Sequence, residues 1–190
     1  MSTSKANPLA ALRAMNLPNK LTLLRIALVP AYLLLLWLPG YSALALAVFA
    51  LASLTDMLDG KIARKRHLVT NFGKFMDPIA DKLLTHTAFI MLTAMGRLNV
   101  VACIIFVARE FVVSGLRLVA VEQGRVIAAG MSGKVKTVLQ MALVMALTAR
   151  LERHGLGLPV ALLTLAAAGM TLYSMIEYVW QNRAVLGGER

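Results

Sequence analysis

Between Ile26 and Leu58 the chain carries no Lys or Arg and a single acid, Asp56. A helix that spans a bilayer needs about 20 predominantly apolar residues, and Leu38-Pro39-Gly40 breaks this stretch into two pieces of that order. Further uncharged runs cover 83–96, 98–108, 138–149 and 155–176. Charged residues make up only 15% of the 190 and apolar ones 59%, whereas soluble domains average about 25% charged. The expectation is an all-α integral membrane protein, a single membrane domain over 1–190.

Together with Leu38-Pro39-Gly40, polar breaks at Lys61–Lys74, Gly96–Asn99, Glu122–Gly133 and Arg150–Gly157 separate six expected transmembrane helices. They run near 21–38, 42–63, 74–95, 99–121, 133–151 and 157–180. Ahead of them, the 1–20 segment places Leu9, Leu12 and Met15 at helical spacing, which fits a short helix lying in the membrane interface as well as it fits a loose tail. It carries Lys5, Arg13 and Lys20 without an apolar run, which argues against a cleavable signal peptide.

The net charge of +11 would point to nucleic acid in a soluble protein. In a membrane chain the same excess follows from the positive-inside rule and from anionic lipid, so no nucleic-acid partner is expected. An even number of spans puts both termini on one side. That side collects 17 of the 20 basic residues, leaving only Arg97, Arg150 and Arg153 opposite, and is therefore expected to be cytoplasmic. A lone Cys103 excludes an internal disulfide. His67, His86 and His154 are scattered, without ligand spacing, and are expected to be structural.

All four Asp of the chain, Asp56, Asp59, Asp77 and Asp81, fall within 26 residues around one turn. Charged side chains in membrane helices are costly and read as functional by default. At about 100° per residue, Asp56, Asp59, Gly60 and Ala63 share one helix face, and Gly73, Asp77 and Asp81 share another on the next helix. Four converging carboxylates repel unless cations separate them. Oxygen-only donors suit Mg²⁺ or Mn²⁺, and four carboxylates can hold two ions. Gly60, Ala63 and Gly73 leave room beside the acids, although small residues also serve helix packing. Arg64 can clamp a phosphate. Together these residues point to a phosphate-bearing substrate, with one carboxylate left to accept a proton.

The run Asp56-Met57-Leu58-Asp59-Gly60-Lys61-Ile62-Ala63-Arg64, followed after eight residues by Gly73-Lys74-Phe75-Met76-Asp77-Pro78-Ile79-Ala80-Asp81, resembles the signature of the CDP-alcohol phosphotransferases at every fixed position. The resemblance implies six transmembrane helices, a homodimer, CMP release and a site open to the cytoplasm, in bacteria at the cell inner membrane. It implies that Asp56, Asp59, Asp77 and Asp81 bind a two-metal centre of Mg²⁺ or Mn²⁺, with Asp81 also the general base. Gly60, Ala63, Arg64 and Gly73 would hold the CDP moiety. Three shorter strings are similar to the bacterial phosphatidylglycerolphosphate synthases within that family: 16–25, Ala108-Arg109-Glu110 with Ser114–Arg117, and Gly133–Thr137. The implied substrates are CDP-diacylglycerol and sn-glycerol 3-phosphate. Cardiolipin, phosphatidylinositol-phosphate or phosphatidylserine synthesis would use the same chemistry with another acceptor.

A phosphorylated acceptor needs its own basic site. Arg109, Arg117, Lys134 and Lys136 are the candidates; ordinary interfacial cations touching headgroups are the alternative for the last three. Arg109 follows eleven uncharged residues, so it is less easily a surface anchor, and Glu110 beside it is a partner either for it or for another helix. Lys134 and Lys136 differ by about 200° on a helix, so one of them is expected to sit in an unwound turn or to reach around. Asn19 and Thr55 are placed at the CDP site, with Thr22 and Arg25 behind it as orienting residues; helix capping accounts for Asn19 nearly as well. A reading of another class, a divalent-cation transporter, needs acids along a through-path, and these acids cluster at one end.

Overall fold

A computed structural model describes residues 17–66, 71–128 and 130–185. Over 17–19, 56–66, 71–75, 77, 78 and 81 it describes the backbone alone. The interfacial helix expected within 1–20 thus lies, up to residue 16, outside the described residues. Among those described, the regular elements are helices: α1 (Leu17–Trp37), α2 (Ser42–Arg66), α3 (Asn71–Ala94), α4 (Val100–Glu122), α5 (Met131–Thr148) and α6 (Gly157–Gln181), with short 3₁₀ turns at Leu151–His154 and Arg183–Val185.

Each expected span has its helix, but the ends differ where charge begins. α2 runs on through Lys61 and Arg64 to Arg66, and α3 starts at Asn71. The break expected over 61–74 is therefore mostly helix. Transfer hydropathy stops at the first charge, whereas the i to i−4 hydrogen bond does not. α1 likewise begins at Leu17, which places Asn19 in the first turn rather than at the cap. α5 ends at Thr148, three residues early, and gives way to a 3₁₀ turn through Arg150 in the left-handed region. The α3–α4 turn follows its local chemistry. Gly96 takes φ +68, which costs glycine nothing, and the Asn99 side chain accepts from the Val101 N–H at 2.8 Å to cap α4.

The chain divides into two compact units, Met1–Thr87 and Ala88–Arg190. In the first, α1 packs on α2. The buried row of α1 is Thr22, Arg25, Val29, Tyr32 and Leu36, recurring at i, i+3, i+7, i+10 and i+14, as one helix face does. The α2 row is Ala45, Phe49 and Ala52. The Tyr32 and Phe49 rings meet at 5.4 Å between centroids, tilted by 47°.

In the second unit α6 packs against both α4 and α5. Its buried rows are Ala102, Phe106, Arg109, Val113, Leu116 and Ala120 on α4, Lys136, Gln140, Leu143 and Leu147 on α5, and Val160, Ala167, Thr171, Ser174 and Tyr178 on α6. Val113, Leu116, Ala120, Tyr178 and Val185 close one end as an apolar cluster. Gln123 Nε2 donates to the Val185 carbonyl there, at 2.9 Å.

The described residues depart from a water-soluble fold in what they bury and expose. Arg25, Arg109, Lys136, Gln140, Thr171 and Ser174 are buried, while Leu34, Phe111, Leu118, Leu158, Leu165, Ile176, Trp37 and Trp180 are exposed. Exposed apolar surface on this scale marks a lipid-facing or partner-facing exterior, and interior ionisable groups are the membrane pattern. α6 and the Lys20–Trp37 part of α1 are each long and apolar enough to cross a bilayer by themselves, and Ser42–Thr55 is a shorter apolar stretch. The chain is a membrane protein.

Two phenylalanines on α4 test this reading. Phe106 is fully buried against Phe89, with centroids 4.8 Å apart, whereas Phe111 is 74% exposed. Phe106→Ala is expected to cost about 3–5 kcal/mol. Phe111→Ala should change stability by less than about 0.5 kcal/mol in detergent. Thermal unfolding followed by labelling of the buried Cys103 thiol distinguishes the two.

Candidate active site

The acid-bearing segments are helical, as their spacing requires. Asp56, Asp59, Gly60, Ala63 and Arg64 belong to the last turns of α2, and Gly73, Asp77 and Asp81 to the first turns of α3. Their side chains lie outside the described part of the structure, as does that of Asn19. The backbone register is informative by itself. The buried α2 row of Ala45, Phe49 and Ala52 continues at helical spacing to 56, 59 and 63. The buried α3 row of Ala80, Leu84, Ala88 and Leu92 extends backwards to 77 and 73. Positions 56, 59 and 63 of α2 and 73 and 77 of α3 thus fall at the helical spacing of those rows. Oxygen donors on two successive helices are the donor set that Mg²⁺ or Mn²⁺ accepts.

Around this segment the described side chains are committed. Thr55 Oγ1 donates to the Ala52 carbonyl at 2.8 Å, leaving its lone pairs for any other partner. Thr22 and Arg25, expected to support the site from α1, are buried at 1% and 2% exposure. His86 Nδ1 lies 2.6 Å from the Lys82 carbonyl one turn back, in keeping with a structural role.

The second unit holds a charged cluster. Arg109 Nη1 donates to Glu110 Oε1 at 2.7 Å, and Lys136 Nζ donates to the same oxygen. All three side chains are largely buried, at 9%, 16% and 5% exposure for Arg109, Glu110 and Lys136. Arg109 comes from α4 and Lys136 from α5, so Glu110 ties the two helices together. Arg109 Nε is buried without a hydrogen-bond partner. At Gly133, a Cβ would lie 3.2 Å from Arg109 Nη2, so the missing side chain makes room for the guanidinium. Charges in such an interior are strongly felt.

The four expected basic residues are not one group. Arg109 and Lys136 meet on Glu110. Arg117 lies eight residues further along α4, about 12 Å of helix rise. There its Nε donates to Tyr178 Oη at 2.9 Å, and its guanidinium lies 5.5 Å from the Tyr178 ring centre. Lys134 is exposed. The two lysines are sorted without any unwinding: α5 is regular from Met131, and the half-turn offset sends Lys136 inward and Lys134 outward.

Sequence reasoning did not single out the polar contacts made by α6. Gln140 Nε2 on α5 donates to Thr171 Oγ1 at 3.1 Å, Thr171 Oγ1 donates to the Ala167 carbonyl, and Ser174 Oγ donates to the Thr171 carbonyl. With Tyr178 they form one row at i, i+3 and i+7 inside a Leu-rich helix. That periodicity is the signal that could have found them.

Comparison with known proteins agrees with the signature. The pattern defining the CDP-alcohol phosphatidyltransferases matches residues 15–176. The chain is 45% identical over 146 residues to a Bacillus subtilis protein named CDP-diacylglycerol–glycerol-3-phosphate 3-phosphatidyltransferase, covering 70% of this chain and 76% of that one. A Mycobacterium tuberculosis protein named probable phosphatidylglycerophosphate synthase is 38% identical over 183 residues, covering 94% and 87%. A Pectobacterium atrosepticum protein with the same name as the B. subtilis one is 37% identical over 170 residues, covering 86% and 93%. With the match running over most of its length and relatives at 37–45% identity, the chain belongs to the CDP-alcohol phosphatidyltransferase family.

Proposed function

We propose that this enzyme transfers the phosphatidyl group of CDP-diacylglycerol to sn-glycerol 3-phosphate, releasing CMP and forming phosphatidylglycerol phosphate in phospholipid biosynthesis. The observation that carries the choice of acceptor is the buried pair of cations, Arg109 and Lys136, gathered on Glu110. Buried charges persist when they are paired or serve a ligand, and Arg109, whose Nε is buried without a hydrogen-bond partner, keeps donors suited to a phosphate monoester. The printed names of the relatives above support the same acceptor. Those relatives are transferases, which leaves the transporter reading without support.

Asp56, Asp59, Asp77 and Asp81 would hold two Mg²⁺ or Mn²⁺ ions. When bound, such ions neutralise the diphosphate oxygens and the charge that develops on the departing CMP. The remaining work falls to the chain. Gly60, Ala63 and Gly73 leave space for the CDP moiety, Arg64 clamps its phosphate, and Asn19 and Thr55 border it. Thr22 and Arg25 orient the groups in front of them. Asp81 accepts the proton of the acceptor hydroxyl while that oxygen attacks the phosphorus bearing diacylglycerol. The bond from this phosphorus to the bridging oxygen breaks, and CMP leaves. Arg109 and Lys136 grip the acceptor phosphate, while Arg117 and Lys134, which lie apart from that pair, contribute only longer-range positive charge.

In this reading all six helices cross a bacterial inner membrane, both termini and the site face the cytoplasm, and the enzyme is a homodimer. The excess of Lys and Arg on one side of the six-span layout supports the orientation.

Purified enzyme given CDP-diacylglycerol and a panel of acceptors tests the assignment. Glycerol 3-phosphate is expected to release CMP well above serine, inositol phosphate or phosphatidylglycerol, and no release above background would contradict it. Chelation should abolish release, and added Mg²⁺ or Mn²⁺ should restore it. Asp81→Asn should lower kcat by about 10²-fold or more. Lys136→Ala should raise KM for glycerol 3-phosphate by about tenfold or more with little effect on that for CDP-diacylglycerol; Lys134→Ala, at an exposed position, should raise it less.

A further inference from the structure

The charge of Glu110 runs against the use proposed for its neighbours. A carboxylate beside a phosphate site repels the ligand, and the cluster would attract a phosphate monoester more strongly without it. Its geometry points elsewhere. One oxygen, Oε1, accepts from Arg109 Nη1 and from Lys136 Nζ, so a single atom fixes the ends of two long side chains that start on different helices. Long cationic side chains lose much rotamer freedom when held, and that loss is met before any ligand arrives.

The backbone leaves Arg109 room on its other edge: a Cβ at Gly133 would stand 3.2 Å from Nη2, and glycine has none. Glu110 also leaves donors unspent, since Arg109 Nε is buried with no partner and a guanidinium carries five N–H groups. The cluster is thus pre-arranged and still able to donate.

We infer that Glu110 is a positioning residue for the acceptor site: it holds Arg109 and Lys136 in the geometry that grips the phosphate of the acceptor, and this ordering outweighs its repulsion of that phosphate. The inference rests on the acceptor assignment proposed above. It makes a prediction of definite sign, because a carboxylate present only to balance charge and one present to position its neighbours act oppositely when altered.

The test is steady-state CMP release by the full-length enzyme, with glycerol 3-phosphate varied at saturating CDP-diacylglycerol and the reverse. Glu110→Gln removes the charge and keeps the shape. Glu110→Asp keeps the charge and shortens the reach by one methylene. Positioning predicts that both raise KM for glycerol 3-phosphate by about tenfold, with KM for CDP-diacylglycerol unchanged, a split that general loss of structure would not produce. Charge balance alone predicts a lowered KM in Glu110→Gln and an unchanged one in Glu110→Asp, and either result overturns the inference. If Glu110→Gln does not fold, Glu110→Asp decides alone. Normal turnover by the unsubstituted enzyme beside an unchanged or lowered KM in the variants sinks the positioning role and spares the acceptor. Absence of turnover with glycerol 3-phosphate in the unsubstituted enzyme sinks the acceptor, and the inference with it.

Discussion

A charge inside a hydrocarbon-facing helix group persists only when something answers it, and this constraint organises the whole molecule. The answer takes two forms. In the second unit it is visible as a contact: Glu110 accepts from Arg109 and Lys136, and the three side chains bury one another between α4 and α5. In the first unit it is written in the chemistry of the residues. Four aspartates on successive helices have no cation among the fixed positions of the signature besides Arg64, and in the proposed function divalent ions would offset their charge and that of a diphosphate. The first arrangement suits a phosphate held by fixed cations, and the second a phosphate held through metal.

The helices present these groups because their interior rows, mainly apolar, each admit a few polar or charged residues, while their exteriors are apolar. On α4 the row from Ala102 to Ala120 passes through Arg109, and on α6 it passes through Thr171, Ser174 and Tyr178. Residues such as Phe111, Leu118, Leu165 and Ile176 face outwards. In water such an arrangement would be unstable. In a bilayer the apolar exterior costs nothing, and interior hydrogen bonds such as Gln140 to Thr171 can tie helices together.

Much of this was legible in the sequence. The uncharged runs located all six helices, and the signature with its gaps identified the family before any coordinates. Helix ends were less legible. Charge marks the edge of an apolar run but does not end a helix, so α2 continues to Arg66 and α3 begins at Asn71. The proposed acceptor site was half legible. Arg109 stood out because it interrupts an uncharged run, whereas the separation of Lys136 from Lys134 follows from a half turn of a helix whose start was uncertain. Tyr178 shares the polar row of α6 with Thr171 and Ser174, but that row does not name its partner. Its role comes from Arg117, 61 residues away, and only tertiary packing brings the two together. The shared oxygen of Glu110 was illegible for the same reason: sequence places it beside Arg109 but gives no sign of Lys136.

The central claim is that the phosphatidyl group of CDP-diacylglycerol ends on the hydroxyl of glycerol 3-phosphate. It is tested most directly by the mass of the lipid formed from unlabelled CDP-diacylglycerol and carbon-13-labelled glycerol 3-phosphate. The account predicts phosphatidylglycerol phosphate carrying the full label, in equal molar yield with CMP. CMP without labelled lipid, or a lipid product that forms equally well when the labelled acceptor is left out, would contradict it.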